Sequence, residues 1–216
     1  MASVEAPRTR GHKKKARTRR QLLDAAVVAL AEEGEGFGVV DVVARAGVSH
    51  GTFYNYFADR DALVAALVPV LVEAFAAQAA AEVDEDDPAA RFAVISARAL
   101  AVAAAAPDLV RASLRLDAVQ RALLVDGPLA YLRDDLVAGH ARGRFDGPPD
   151  DGTVDVVLGA LLLAARRIVD GEAGLDHRRV VIRRLLVALG VETGEAGELA
   201  DRAVARSTPP TPQPAG

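Results

Sequence analysis

Along this chain apolar side chains recur three and four residues apart far more often than they alternate. Leu22, Leu23, Ala26, Val27 and Leu30 hold the i, i+3, i+4, i+7 spacing of one helix face, and Gly34 stands where such a helix stops. After a joint rich in glycine (Gly34, Gly36, Gly38), the pattern predicts a short helix over 39–46. A turn at Gly47, Val48 and Ser49 comes next, then a second short helix over 50–57. Asp59 can cap a helix running to about residue 81, and Pro88 opens another that ends before Pro107. Pro107 and Pro128 stand as the first residues of two more. The stretches 153–169 and 176–189 read as the last long apolar helices. With no alternating strand pattern and no internal repeat, the expected fold class is all-α, a small N-terminal three-helix domain followed by a larger helical one.

A chain of 216 residues that is 51% hydrophobic is long enough for such a pair of domains. It has no cysteine, which excludes disulfides and thiolate metal sites. Its N-terminus is basic, but no apolar h-region succeeds it, and stretches such as 154–165 are interrupted by Asp155 or too short to span a bilayer. A cytoplasmic protein is therefore expected. The acidic stretch 84–87 lacks the alternating ligand spacing of a calcium loop and reads as a solvated loop with a cap; no metal or cofactor is expected.

The net charge of -4 conceals an asymmetry. Residues 1–57 hold nine Lys/Arg against six Asp/Glu, whereas the remainder holds 17 against 24. Arg8, Arg10, Lys13, Lys14, Lys15, Arg17, Arg19 and Arg20 form a run with no acid among them, which suits a polyanion. Taken alone, such a run reads equally well as a solubilising tail.

The segment from residue 39 to residue 57 carries the most chemistry. A helix, a tight turn containing glycine and a second helix let one helix cross a nucleic-acid backbone while the next enters the major groove. Gly47 supplies the backbone freedom of the turn, Val48 plugs the angle, and Ser49 can cap the second helix. Phe53 and Phe57 are four apart and face the core, so His50, Gly51, Tyr54 and Asn55 share the opposite face. Gly51 leaves room for close approach to a duplex, and the Tyr54 hydroxyl can reach a phosphate.

At these residues the chain resembles the TetR family of bacterial regulators. The resemblance covers roughly 18–67 and rests on Leu23-Asp24-Ala25-Ala26, Val43-Ala44, Ala46-Gly47-Val48-Ser49, Gly51-Thr52-Phe53-Tyr54-Asn55-Tyr56-Phe57 and Arg60-Asp61-Ala62-Leu63. It implies a DNA-binding transcriptional regulator and not an enzyme, a repressor released from a palindromic operator by a small-molecule effector. Phosphate contacts are implied from Thr52, Tyr54, Tyr56 and Arg60, and base-edge contacts from His50 and Asn55. With Arg17, Ser49 and Gly51 these make the candidate DNA-binding set. Gly38 and Val39 stand where a capping Thr or Ser is common, and Val42 where an Asp is frequent.

The expected division is a basic flexible arm over 1–16, a helix-turn-helix DNA-binding domain over 17–58, a ligand-sensing and dimerisation domain over 59–206 and a disordered tail over 207–216. The resemblance also implies a homodimer through the last two long helices. A pocket among the middle helices has Phe75, Phe92, Leu100, Leu116 and Tyr131 as apolar candidates, and Gln78, Ser96, Gln120 and His140 as polar ones. No ligand residue is assigned, and an activator, or a DNA-binding module without an effector, stays open.

One competing pattern is present. Gly47-Val48-Ser49-His50-Gly51 satisfies the G-x-S-x-G of a hydrolase nucleophile elbow. Against it, Ala44-Arg45-Ala46 separates the only strand-like valines from the glycine, bulky aromatics come after Gly51, and no further strands are predicted to build a sheet.

Overall fold

The computed structural model describes residues 10–79, 83–119, 122 and 130–207. Ten helices are named here: α1 (Arg10–Glu33), α2 (Val39–Ala46), α3 (His50–Tyr54), α4 (Arg60–Ala79), α5 (Pro88–Ala105), α6 (Pro107–Arg115), α7 (Ala130–Ala141), α8 (Asp151–Val169), α9 (Leu175–Ala188) and α10 (Thr193–Ser207). Among the described residues there is no strand, so the fold is all-α and the sheet that a nucleophile elbow requires has no counterpart. Two compact units divide between Val70 and Leu71, inside α4. Pro69 lies in that helix too, and its ring removes one N–H from the helical ladder.

Several helix limits differ from those the sequence suggests. Helix α1 extends back to Arg10, so residues 10–16, expected in a flexible arm, form its first two turns. Helix α3 closes at Tyr54 rather than residue 57, and Asn55 caps it. Helix α8 starts at Asp151 because the Asp150 carboxylate accepts the Thr153 N–H at 2.7 Å. Helix α10 has no counterpart among the expected elements. It comes after α9, so the pair read as the last long helices is not the end of the fold. Pro128 and residues 208–216 lie outside the described residues.

In the first unit, α1 packs on α2, and α2 on α3. Leu22, Ala26, Ala29, Leu30, Phe37, Val42 and Phe53 are all at most 1% exposed. In the second unit α5 is the central element, packed against α6, α7, α8, α9 and α10. It is the one helix among the described residues long and apolar enough to cross a membrane, and more than half of it is buried inside this core. Asp87 caps it, accepting from the Ala89 N–H at 3.3 Å, and Pro88 occupies the first turn, where its missing N–H costs nothing.

The loop before α5 is less solvated than its acidity suggests. Arg144 donates to both oxygens of Asp87 at 2.7 and 3.0 Å and to Glu195 on α10 at 2.5 Å. Arg142 donates to the Asp86 carbonyl at 2.5 Å, and Arg206 pairs with Glu85. Arg144 therefore holds the Asp87 carboxyl below the usual carboxylate range. That stabilisation is present above the ordinary carboxylate pKa and is lost as pH falls through the lowered one.

Candidate nucleic-acid interface

Gly47 ends α2 with φ of 65°, a left-handed conformation that glycine adopts without strain. Its N–H donates to Ala44, and that of Val48 to Val43, which closes the turn tightly. Ser49 then caps α3. Its Oγ accepts the Thr52 N–H at 3.1 Å and lies 2.9 Å from the Thr52 hydroxyl. The start of α2 is fixed by an acid that no sequence motif singled out: the Gly38 N–H donates to the Asp41 carboxylate at 2.7 Å. The helix expected to lack its acid at Val42 thus carries one a residue earlier.

Helix α3 has two unlike faces. Phe53 is fully buried and Phe57 is 4% exposed, with ring centroids 5.7 Å apart. The Arg19 guanidinium covers the Phe57 ring at 5.5 Å. On the other side His50, Gly51, Tyr54 and Asn55 are exposed, while Thr52 and Tyr56 are half-buried. Tyr54 is 57% exposed although its ring meets the edge of Phe53 at 5.3 Å, so an aromatic hydroxyl is presented outward from a fixed base. Arg17 is exposed on α1, as are Lys13, Lys14, Lys15 and Arg20.

Arg60 does more than its expected role requires. Its Nε donates to the Phe37 carbonyl at 2.8 Å, a second nitrogen donates to the Glu35 carbonyl, and the guanidinium sits 4.6 Å from the Phe37 ring centroid. It clasps the joint between α1 and α2. The sequence signal was available in Phe37, a lone aromatic between glycines that is only 1% exposed. Arg45, by contrast, is spent on Glu32 and Glu33 at 2.6 and 2.9 Å, which ties the end of α2 to α1.

The pocket candidates divide. Phe92, Ser96, Leu100 and Leu116 are buried, and His140 is exposed. The side chains of Phe75, Gln78 and Tyr131, and all of Gln120, lie outside the described residues. Asp135, not singled out from the sequence, is 8% exposed, and its Oδ1 accepts from Arg91 Nε at 2.8 Å. Burial pushes its carboxyl above the ordinary range, and Arg91 opposes the rise. Among the described residues no cluster of His, Asp and Glu has the makings of a metal site.

Residues 22–67 match the family model for bacterial regulatory proteins of the tetR family. Among curated proteins nothing matches. Solved structures do. RolR in complex with the ligand resorcinol is 26% identical, with 88% of this chain and 96% of that chain covered and a TM-score of 0.63. A tetR family transcription regulator from Shewanella sp. PV-4 is 21% identical, covering 81% of this chain and 99% of its own, at a TM-score of 0.67. The TetR family protein CprB from S. coelicolor A3(2) is 18% identical, covering 89% and 98%, also at 0.67. The helix-turn-helix over 22–67 is of the tetR-family type, and the chain shares the fold of solved TetR-family regulators over more than four fifths of its length.

Proposed function

We propose that the chain is a repressor that binds a palindromic operator as a homodimer and leaves it when a small-molecule effector occupies the larger domain. The observation that carries the DNA half is the outward face of α3, polar and aromatic, braced from behind by Phe53 and Phe57. On this reading His50 and Asn55 meet base edges, and Thr52, Tyr54, Tyr56 and Arg17 meet phosphates. Ser49 sets the start of the helix. Gly51 permits close approach, since a Cβ there would meet only the Ser49 hydroxyl at 3.9 Å. Arg60 meets a phosphate through Nη1, which otherwise faces Asp61 at 3.5 Å, while its other two nitrogens hold the Phe37 joint.

The effector half is supported by RolR, which was captured with resorcinol and is similar over 88% of this chain. The dimer half is supported by Val156, Leu163 and Val180, large apolar side chains that α8 and α9 leave 60%, 56% and 44% exposed. A two-fold pair sets two recognition helices about 34 Å apart, one turn of B-DNA, which a palindrome matches.

Selection of binding sites from random duplexes tests the reading. One palindromic sequence is expected to be enriched, and failure to enrich any would reject it. His50→Ala should relax preference at one position at a cost of about 1–3 kcal/mol, whereas Tyr54→Ala should weaken all sequences alike. Equal, uniform losses from both would remove the division of roles.

The salt dependence of operator binding tests the basic run. Each phosphate neutralised contributes a slope of about -0.9. Because residues 10–16 belong to α1, charge removal is a cleaner probe than truncation. Lys13, Lys14 and Lys15 changed together to Gln are expected to make the slope shallower by one unit or more per subunit. An unchanged slope would mean that the run solubilises and does not touch DNA.

A further inference from the structure

Helices α5, α7 and α8 enclose a cavity of about 20 Å³, room for a single water. Its walls are apolar: Phe92, Ile95 and Ala99 from α5 and Leu132 from α7. Two polar side chains break them. Ser96 is 2% exposed and Asp135 is 8% exposed, and both line the cavity. Ile95 and Ala99 are only half-buried, so the apolar wall continues outward from the hole towards solvent.

We propose that this cavity anchors the hydroxyl group of a neutral, largely apolar ring compound, a phenol or a cyclic alcohol. The ligand O–H donates to the Asp135 carboxylate and its oxygen accepts from the Ser96 hydroxyl, while the ring lies against Ile95 and Ala99. A one-water hole fits one oxygen atom and excludes a carboxylate or a branched polar group. The charge of the site selects as well. Arg91 already engages Asp135 Oδ1 at 2.8 Å, so the pair is close to neutral and Oδ2 is a second acceptor. A cationic amine would bring a second positive charge beside Arg91, and an anion would face Asp135. A hydrocarbon of the same shape would leave the second carboxylate oxygen and the Ser96 hydroxyl without a ligand partner, the discrimination at which hydrogen-bonding sites are strongest. The assignment rests on the reading of the larger domain as effector-binding, and gives that effector a chemistry.

Titration of the full chain with phenol, toluene, benzylamine and benzoate, followed by ligand-observed NMR, tests this without DNA. Phenol is expected to bind at least tenfold more tightly than toluene and ahead of both charged compounds. Ser96→Ala and Asp135→Asn are each expected to cut the phenol-to-toluene ratio several-fold while toluene binding stays as it was. Circular dichroism and melting temperature report whether each variant folds. Should Asp135→Asn not fold, the near-isosteric Ser96→Ala decides. Phenol that does not saturate, that binds no better than toluene, or that keeps its full preference in the folded variants overturns the anchor. Tighter binding of benzylamine overturns it too, in favour of charge recognition. None of these outcomes bears on operator selection, so the anchor and the DNA reading fail separately. An anchor that behaves as expected, with operator affinity unmoved by bound phenol, would instead remove the effector role.

Discussion

Gly139→Ala is expected to lower the melting temperature sharply, although alanine is the better helix former. A Cβ at Gly139 would stand 2.0 and 2.2 Å from two ring carbons of Phe145, far inside any contact that packed atoms sustain. Phe145 has nowhere to retreat. It is 5% exposed, and its ring meets Phe92, itself 1% exposed, edge to face at 6.0 Å. The backbone is tied as well, since the N–H groups of Arg144 and Phe145 both donate to the Gly139 carbonyl, at 2.8 and 3.3 Å. One added methyl must therefore break these bonds, expel the ring or shift α7. Overpacking of this kind costs roughly 1–3 kcal/mol, and a chain of this size loses about 2–4 °C per kcal/mol. A fall of roughly 2–12 °C is expected in a thermal melt followed by circular dichroism. Gly197→Ala is the control. Its Cβ would meet only the flexible Arg183 side chain at 3.9 Å, so the helix gain of up to about 1 kcal/mol should appear undiminished. Equal melting temperatures for Gly139→Ala and the unsubstituted chain would show that Phe145 yields freely.

The contrast between these glycines illustrates what the sequence could and could not carry. Periodicity sorts faces when the apolar spacing is strong: Phe53 on α3 and Phe57 just beyond it, four apart, mark the buried side, and the structure exposes the other. Helix α10 escaped because its stripe, Ala196, Leu199, Ala200, Ala203 and Val204, is mostly alanine, whose small apolar area gives little contrast against polar neighbours. The basic run reads as an arm suited to a polyanion or as a solubilising tail. Yet Lys and Arg are good helix formers, and the run continues the register of Leu22, Leu23 and Ala26 as the first turns of α1. Contacts distant in sequence left no local signal. Arg144 joins Asp87 to Glu195 across more than fifty residues on either side, and Asp135 meets Arg91 across forty-four, so neither the ion pairs of the acidic loop nor the place of Asp135 beside Ser96 in the cavity is legible in the sequence. The G-x-S-x-G pattern shows the converse. A short motif is compatible with two chemistries, and the surrounding helices decide which backbone it belongs to.

Leu163→Glu is expected to separate the proposed dimer and abolish operator binding while leaving each protomer folded. The stretch 153–169 is apolar almost all round, which from sequence alone does not say which residues face the protomer core. The structure sorts them. Val157, Leu158 and Leu161 are at most 8% exposed, as are Ile182 and Leu185 on α9, and all five belong to the protomer's own core. Val156 and Leu163 lie seven apart on the other side of α8, both more than half exposed, and Val180 is 44% exposed on α9. Charge at Leu185 would therefore destroy the protomer and say nothing about pairing. Charge at Leu163 projects into solvent in a lone protomer and costs its fold little. In a two-fold interface the same substitution occurs on both sides, and burying an unpaired carboxylate costs several kcal/mol. The dimer dissociation constant should rise by at least about a hundredfold. Half-sites one turn apart then lose the shared binding that links them, and operator affinity falls with the dimer. Sedimentation and operator titration of the same preparation read both quantities. A Leu163→Glu protein that remained dimeric and bound operator normally would take this face of α8 out of the interface, and the palindromic reading would need another surface to bring its two recognition helices together.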